Sequence, residues 1–274
     1  MMTALEFGGA TADPTASNPS ASLVQSSPSL ALVMPMAGRG SRFRADPAIR
    51  VPKPLVTIAG RPLFWWATES VQRTISVREM VFVVLREHVT DYALDREIIR
   101  YYPDARIIEI DQTTSGAAET AALGVVSLAS PGPLAINDCD HAFSCNGLAA
   151  AVARLADGAD GALLTFRSSN PAFSYLRLSD GGEVVGTAEK QVESAHAIGG
   201  CYIFANPTLF LTALERYRTV CRYDELFMSG LFNCLSEQRA RLLQVESDQY
   251  CPLGTPADLD RASTRVFQPF LGWI

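Results

Sequence analysis

The stretch LVMPMAGRGSRF, residues 32–43, decides how the chain folds. The apolar run LALVM (30–34) stops at a loop of two glycines, a serine and two arginines. An apolar run this short, bounded by glycine, reads as a buried strand feeding a turn. VPKPLVTIAGRP (51–62) follows, with a lysine set between prolines, and PLFWWATESVQR (62–73) then opens on Pro62 and carries apolar residues at helical spacing. Proline suits the first helical position, where its missing N–H costs nothing.

The alternation continues along the chain. EMVFVVL (79–85) reads as a buried strand, TDYALDREIIRYY (90–102) as one helix, RIIEI (106–110) as a strand, and SGAAETAALGVVSLA (115–129) as an alanine-rich helix. PLAIND (133–138) is a strand ending in a carboxylate, GLAAAVARLA (147–156) a helix and GALLTF (161–166) a strand. Strand–helix alternation predicts a largely parallel sheet covered on both faces. The second half differs. SYLRLSDGGEVVGTAEK (174–190) reads as a hairpin turning at Asp180-Gly181-Gly182, AIGGCYIFA (197–205) as a strand followed by helices to about Glu237, RLLQVES (241–247) as a strand, and the chain closes with a helix after Pro256. These segments complete the same sheet and add a lid. The expected organisation is a flexible N-terminal extension over 1–29, then one domain over 30–274 with halves at about 30–168 and 169–274.

Composition narrows the function. Of 274 residues 48% are hydrophobic and 19% charged, enough to fill a core. A net charge of -6 argues against a sequence-blind nucleic-acid binder, which needs basic surface to displace counterions from phosphates. The first thirty residues hold no Lys or Arg and no apolar run is long enough to span a bilayer, so the expected location is the cytoplasm, without membrane insertion. Six cysteines without CxxC pairing read as reduced core residues. Cys139, His141 and Cys145 lie close together, but structural zinc takes its ligands as two spaced pairs. The sequence leaves a homo-oligomer open.

Ligands of open α/β sheets collect beyond the carboxyl ends of strands, and the unusual clusters sit at such ends. Gly38 and Gly40 allow backbone N–H groups to face an anion, and Arg42 and Arg39 would add charge-assisted bonds. The same residues also suit a plain strand-to-helix turn. Neither GxGxxG nor GxxxxGK[ST] is met, since Phe43 stands where the third glycine would be. Lys53 between prolines is either a fixed point charge or a solvated turn lysine. Asp138 and Asp140 form a DxD whose carboxylates repel unless a cation or proton intervenes; Mg²⁺ suits such hard oxygens, and an acidic turn is the alternative. Glu189-Lys190 is either a surface ion pair or a carboxylate for hydroxyls beside an ammonium for phosphate.

Taken in order, MPMAGRGSRF…PKPLVTIAGRPLF, INDCDHAF, GTAEK, AIGGCYIF and PLGTPADLDRA resemble the signature of the sugar-phosphate nucleotidyltransferases (nucleotide-sugar pyrophosphorylases), over about 30–262. The resemblance implies an α/β, GT-A-like (Rossmann-like) mixed, mostly parallel sheet with helices on both faces and a small hairpin-containing acceptor lobe. It implies that an NTP and a phosphorylated acceptor, such as a sugar 1-phosphate, give an NDP-linked product and pyrophosphate. It places Ala37, Gly38, Arg39, Gly40 and Ser41 around the triphosphate, Arg42 on the departing pyrophosphate, and Lys53 between the α-phosphate and the attacking phosphate. Gln112 and Gly116 fall where the family reads the base; the Gln112 amide suits a pyrimidine and serves a purine as well. Asp140, with Asp138 beside it, would hold Mg²⁺. Glu189 and Gly200 would hold the acceptor and Lys190 its phosphate. One departure is Pro252, where many relatives carry a second metal aspartate; either Asp138 or Asp248 would then substitute, or Asp140 and the phosphates alone would hold the metal. The departure is similar to small capsule- or polysaccharide-associated branches, so a cytidylyltransferase acting on a phosphate such as phosphocholine stays open. So do a GT-A glycosyltransferase and a non-catalytic homologue that binds nucleotide sugars.

Overall fold

The structure is a computed structural model and describes residues 27–262 and 265–274. The extension expected over 1–29 lies outside the described residues as far as residue 26. Ser29 already begins β1 (Ser29–Pro35), whose Ala31 and Val33 face one side of the sheet and Leu30, Leu32 and Met34 the other. The glycine-rich loop leads into a single helical turn, α1 (Ser41–Arg44), and the prolines around Lys53 into a 3-10 turn, Lys53–Leu55. A minimal hairpin, β2 (Thr57–Ile58) and β3 (Arg61–Pro62), precedes α2 (Leu63–Gln72). Pro62 is therefore the residue before the helix rather than its first.

β4 (Ser76–Leu85) runs straight into α3 (Arg86–Tyr92), and Ala93 at φ 53° breaks it from α4 (Leu94–Tyr101). The expected single helix over 90–102 is thus two. β5 (Arg106–Ile110) and α5 (Ala117–Val125) follow. The α5 helix stops short of 129 because both the backbone N–H and the hydroxyl of Ser127 bond back to the Gly124 carbonyl. Next come β6 (Leu134–Asn137), β7 (His141–Ser144), α6 (Leu148–Ala156), β8 (Gly161–Arg167), β9 (Tyr175–Leu178), β10 (Val184–Ala188) and β11 (His196–Phe204). The chain ends with α7 (Pro207–Val220), α8 (Met228–Glu237), β12 (Leu242–Glu246), β13 (Gln249–Pro252), α9 (Pro256–Ala262) and a 3-10 segment, Arg265–Trp273.

The main sheet has nine strands in the order β10-β9-β11-β6-β1-β4-β5, with β8 pairing β11 and β12. Strands β1, β4, β5, β6, β8, β9 and β12 point one way, β10 and β11 the other. The fold is the mixed, mostly parallel α/β sheet the sequence predicts. Helices α5, α7 and α8 pack on the face of Ala31, Val33, Leu134 and Ile136. Helices α2 and α6 cover the other face, with Phe64 and Trp66 against Met34 and Phe82, and Leu148 and Val152 against Leu32 and Ala135. Strands β7 and β13 form a separate antiparallel ribbon. Among the described residues no helix is long and apolar enough to cross a membrane. All six cysteines are unpaired thiols.

Candidate active site

Parallel pairing of β1 with β4 and β6 aligns their carboxyl ends on one edge, and the loops that leave that edge build the site. The loop after β1 holds buried Ala37 and exposed Gly38, Arg39, Ser41 and Arg42. Gly40 adopts φ 60°, and a β-carbon there would lie 3.3 Å from Lys53 Cβ. That conformation and that closeness both favour glycine. Among the described residues Arg39 and Arg42 have no carboxylate within ion-pair distance, so their guanidinium groups are available to an anion.

The loop after β6 carries Asp138 and Asp140. Lys53 Nζ donates to Asp140 Oδ2 at 3.1 Å, with side-chain exposures of 23% and 16%, so each keeps an open face. Burial alone would lower the lysine pKa, but Asp140, with Cys139 and Asp138, reverses this and holds the ammonium charged. Burial likewise works against the Asp140 carboxylate, yet Lys53 keeps it below its ordinary range. The cost of the pair falls on Asp138, whose carboxyl is pushed up to about 7 by burial and then by Asp140. At neutral pH the charge on Asp140 is thus held at the expense of the charge on Asp138.

Two glycines set this geometry. A β-carbon on Gly254 would lie 2.7 Å from Asp140 Oδ2 and 3.9 Å from Arg42 Nη1. The late Gly-Thr turn thus brings Arg42 and Asp140 to a common point, and the Leu253 N–H bonds the Asp140 carbonyl at 2.8 Å. Gly200, at φ 72°, sits where the β11–β8 register shifts between Ile198 and Tyr202. Its β-carbon would meet Asp138 Oδ2 at 2.8 Å, and its carbonyl accepts the Asp138 N–H at 2.8 Å. Gly200, expected against the acceptor, lies against Asp138. His141 is buried and its pKa is lowered to about 4 by burial, so it is neutral, paired at 3.2 Å with Asn137 Oδ1.

The residues expected at the acceptor follow the hairpin. Glu189 follows β10, and its Oε2 accepts from Ser229 Oγ at 2.8 Å and from Ser174 Oγ. Its charge reaches Asp138. Lys190, exposed at φ 53°, does not bond Glu189; its ammonium lies 4.8 Å above the Phe227 ring. Of the residues expected at the base, Gln112 is exposed between β5 and α5, and Gly116 precedes α5, pressed against the backbone of Leu226.

Asp248 is a correction. Its Oδ2 accepts the Asn146 N–H at 2.7 Å, at the Ser144 end of the β7–β13 ribbon. Asp140 adjoins the opposite end, where His141 pairs with Pro252, so Asp248 cannot replace the missing ligand. Among the described residues no group of three or more His, Cys, Asp or Glu is placed to hold a metal. Sequence reasoning missed Gly254, although the Gly-Thr motif carried its signal, and missed Ser174 and Ser229, for which no local pattern exists.

Residues 32–180, more than half of the chain, match the model of the MobA-like NTP transferase domain. The chain belongs to that family. Its activity class is therefore nucleotidyl transfer from an NTP. Strand, loop and DxD lie inside the matched segment; Glu189, Lys190 and Gly200 lie beyond it. Among solved structures, the fold is similar to a nucleoside-diphosphate-sugar pyrophosphorylase from Vibrio cholerae RC9, at 23% identity and TM-score 0.71, covering 88% of this chain and 99% of that one. It is also similar to the inositol-1-phosphate CTP transferase from T. maritima, at 13% identity and TM-score 0.66, covering 89% and 94%. No curated protein matches the sequence.

Proposed function

We propose that this nucleotidyltransferase joins an NTP to a phosphorylated small molecule, a sugar 1-phosphate, releasing pyrophosphate. The observation that carries the reading is the Lys53–Asp140 contact beside unpaired Arg42: two cations and a carboxylate at one point on the strand edge. An oxygen of the acceptor phosphate attacks the α-phosphorus of the NTP, a new P–O bond forms, and the bond to the β-phosphate oxygen breaks. Both substrates are anionic, so their approach is opposed. Lys53 between them lowers that repulsion, and Arg42 neutralises the departing charge. The backbone of 38–41 orients the triphosphate for in-line attack, and no covalent protein intermediate is required.

The donor set fits Mg²⁺, which takes one or two carboxylates and keeps several waters. Asp140 would hold it, with Asp138 beside it, and when bound it supplies charge neutralisation at the phosphate oxygens. Pro252 contributes no ligand, so this two-carboxylate set stands without the second late aspartate.

A second reading of the acceptor rests on aromatic rings. Phe166 and Tyr250 stack at 3.9 Å, Phe173 meets Phe166 edge-on at 5.0 Å, and all three are partly exposed. After burial, the charges of Asp140 and Asp138 most affect the Tyr250 hydroxyl, which places the ring near them. Aromatic faces with carboxylates suit a quaternary ammonium, hence a phosphate ester such as phosphocholine. A matrix of four NTPs against sugar 1-phosphates and amino-alcohol phosphates, read by pyrophosphate release with Mg²⁺, decides between them. Release with sugar phosphates supports the first reading, and release confined to phosphocholine the second. Absence of release with every pair overturns both.

A further inference from the structure

We infer that Ser229 and Ser174 are positioning residues for the acceptor, acting through Glu189. The inference rests on the nucleotidyl-transfer reading. Both hydroxyls donate to the same carboxylate oxygen, Oε2 of Glu189, from opposite directions in the chain: Ser174 from the loop before β9, Ser229 from the first turn of α8. Among the described residues no donor is bonded to Oε1. A carboxylate with one oxygen held twice loses its rotational freedom and keeps the other as an acceptor only. A hydroxyl of a sugar-phosphate acceptor, or the positive charge of a quaternary-ammonium one, is the partner that such an oxygen takes.

The segment that carries Ser229 touches both Glu189-Lys190 and the loop before α5. Leu226 exchanges backbone bonds with the base loop, its N–H to Ser115 at 2.9 Å and its carbonyl from Ala118 at 3.0 Å. Phe227 lies under the Lys190 ammonium. The Ser229 carbonyl accepts from Thr187 Oγ1 at 2.7 Å, tying α8 to β10 just before Glu189. Residues 226–229 therefore bolt the Glu189-Lys190 pair to the loop that carries Gln112 and Gly116. The geometry of the acceptor subsite is set by this bolt rather than by the hairpin alone.

The test uses the full chain, the NTP at saturation, and glucose 1-phosphate and phosphocholine as acceptor probes, with pyrophosphate release as readout. Ser229→Ala and Ser174→Ala should each raise the KM of the accepted probe by roughly tenfold, the usual worth of a hydrogen bond to a charged group. The KM for NTP should stay at its wild-type value. Ser174→Thr, which keeps the hydroxyl, should restore the acceptor KM. In a Glu189→Ala background the serine substitutions should have no further effect. Because Ser229 is buried, its variant could fail to fold; the Ser174 pair and its cycle with Glu189 then decide alone. Unchanged acceptor KM in the alanine variants, or serine effects that persist fully without Glu189, overturns the inference and leaves the reaction intact. Absence of wild-type turnover with any acceptor overturns the reaction and this inference together.

Discussion

Lys53 and Asp140 are 87 positions apart in the chain and 3.1 Å apart in space, and that single contact imposes the charge state of its neighbours. Asp138 bears the consequence. Its carboxyl titrates near 7 in the fold, through burial and then Asp140, against about 3.9 when unfolded. The folded state thus prefers the protonated acid, and this contribution to stability is complete below about pH 4 and lost as pH rises through 7. Asp138→Asn should accordingly raise the Tm of the metal-free protein at pH 8, by roughly 2–4 °C per kcal/mol recovered, and give no gain at pH 4. Thermal melts in EDTA at the two pH values check this; an equal or lower Tm at pH 8 would contradict it. Asp140→Asn should instead remove most turnover and flatten the Mg²⁺ dependence of what remains, measured as pyrophosphate release across a magnesium titration. At this scale the sequence exposed Arg42, Lys53 and Asp140 because glycine, proline and paired carboxylates are rare combinations with a physical reason. Ser174 and Ser229 were invisible, since a serine that matters by pointing at a distant carboxylate looks like any other serine.

Elements with strong local signals were legible, and those made by distant partners were not. The glycine-rich turn after β1 and the Asp-Gly-Gly hairpin carry their conformations in their residue types. The β7 strand did not, because four residues starting with histidine become a strand only when β13, a hundred residues later, pairs with them. The break between α3 and α4 was also hidden. Ala93 is a good helix former, yet it takes φ 53° between α3 and α4. Helix α5 shows how closely elements are fitted at the site. A β-carbon at Gly116 would come 2.5 Å from the Leu226 amide nitrogen, a backbone atom that cannot step aside. Gly116→Ala should therefore cost more than about 2 kcal/mol of stability, read from urea unfolding, and should loosen the base loop at the same time. A neutral substitution would mean that the Leu226 backbone does not press on the start of α5.

One sheet spans both halves of the molecule, so neither half closes its core alone. The last described residues return to the beginning: Phe267 meets Trp66 edge-on at 4.7 Å, and Trp273 lies against Trp66 and under Arg73. Phe267→Ala should cost roughly 3–5 kcal/mol in urea unfolding although it lies in the C-terminal 3-10 segment, because it opens the core beneath α2. The same long-range closure delivers Gly254 to Asp140 and Gly200 to Asp138, completing a constellation begun by residues 32–53. The sequence could order these parts along the chain, but only the folded sheet shows which of them meet. The most direct measurement on that constellation is single-turnover pyrophosphate release by Lys53→Ala, alongside its dissociation constant for the NTP. A fixed ammonium between two phosphates predicts release slowed by at least roughly a hundredfold, with NTP affinity changed by less than about threefold. Release at the wild-type rate, or a loss explained wholly by weaker NTP binding, would contradict it.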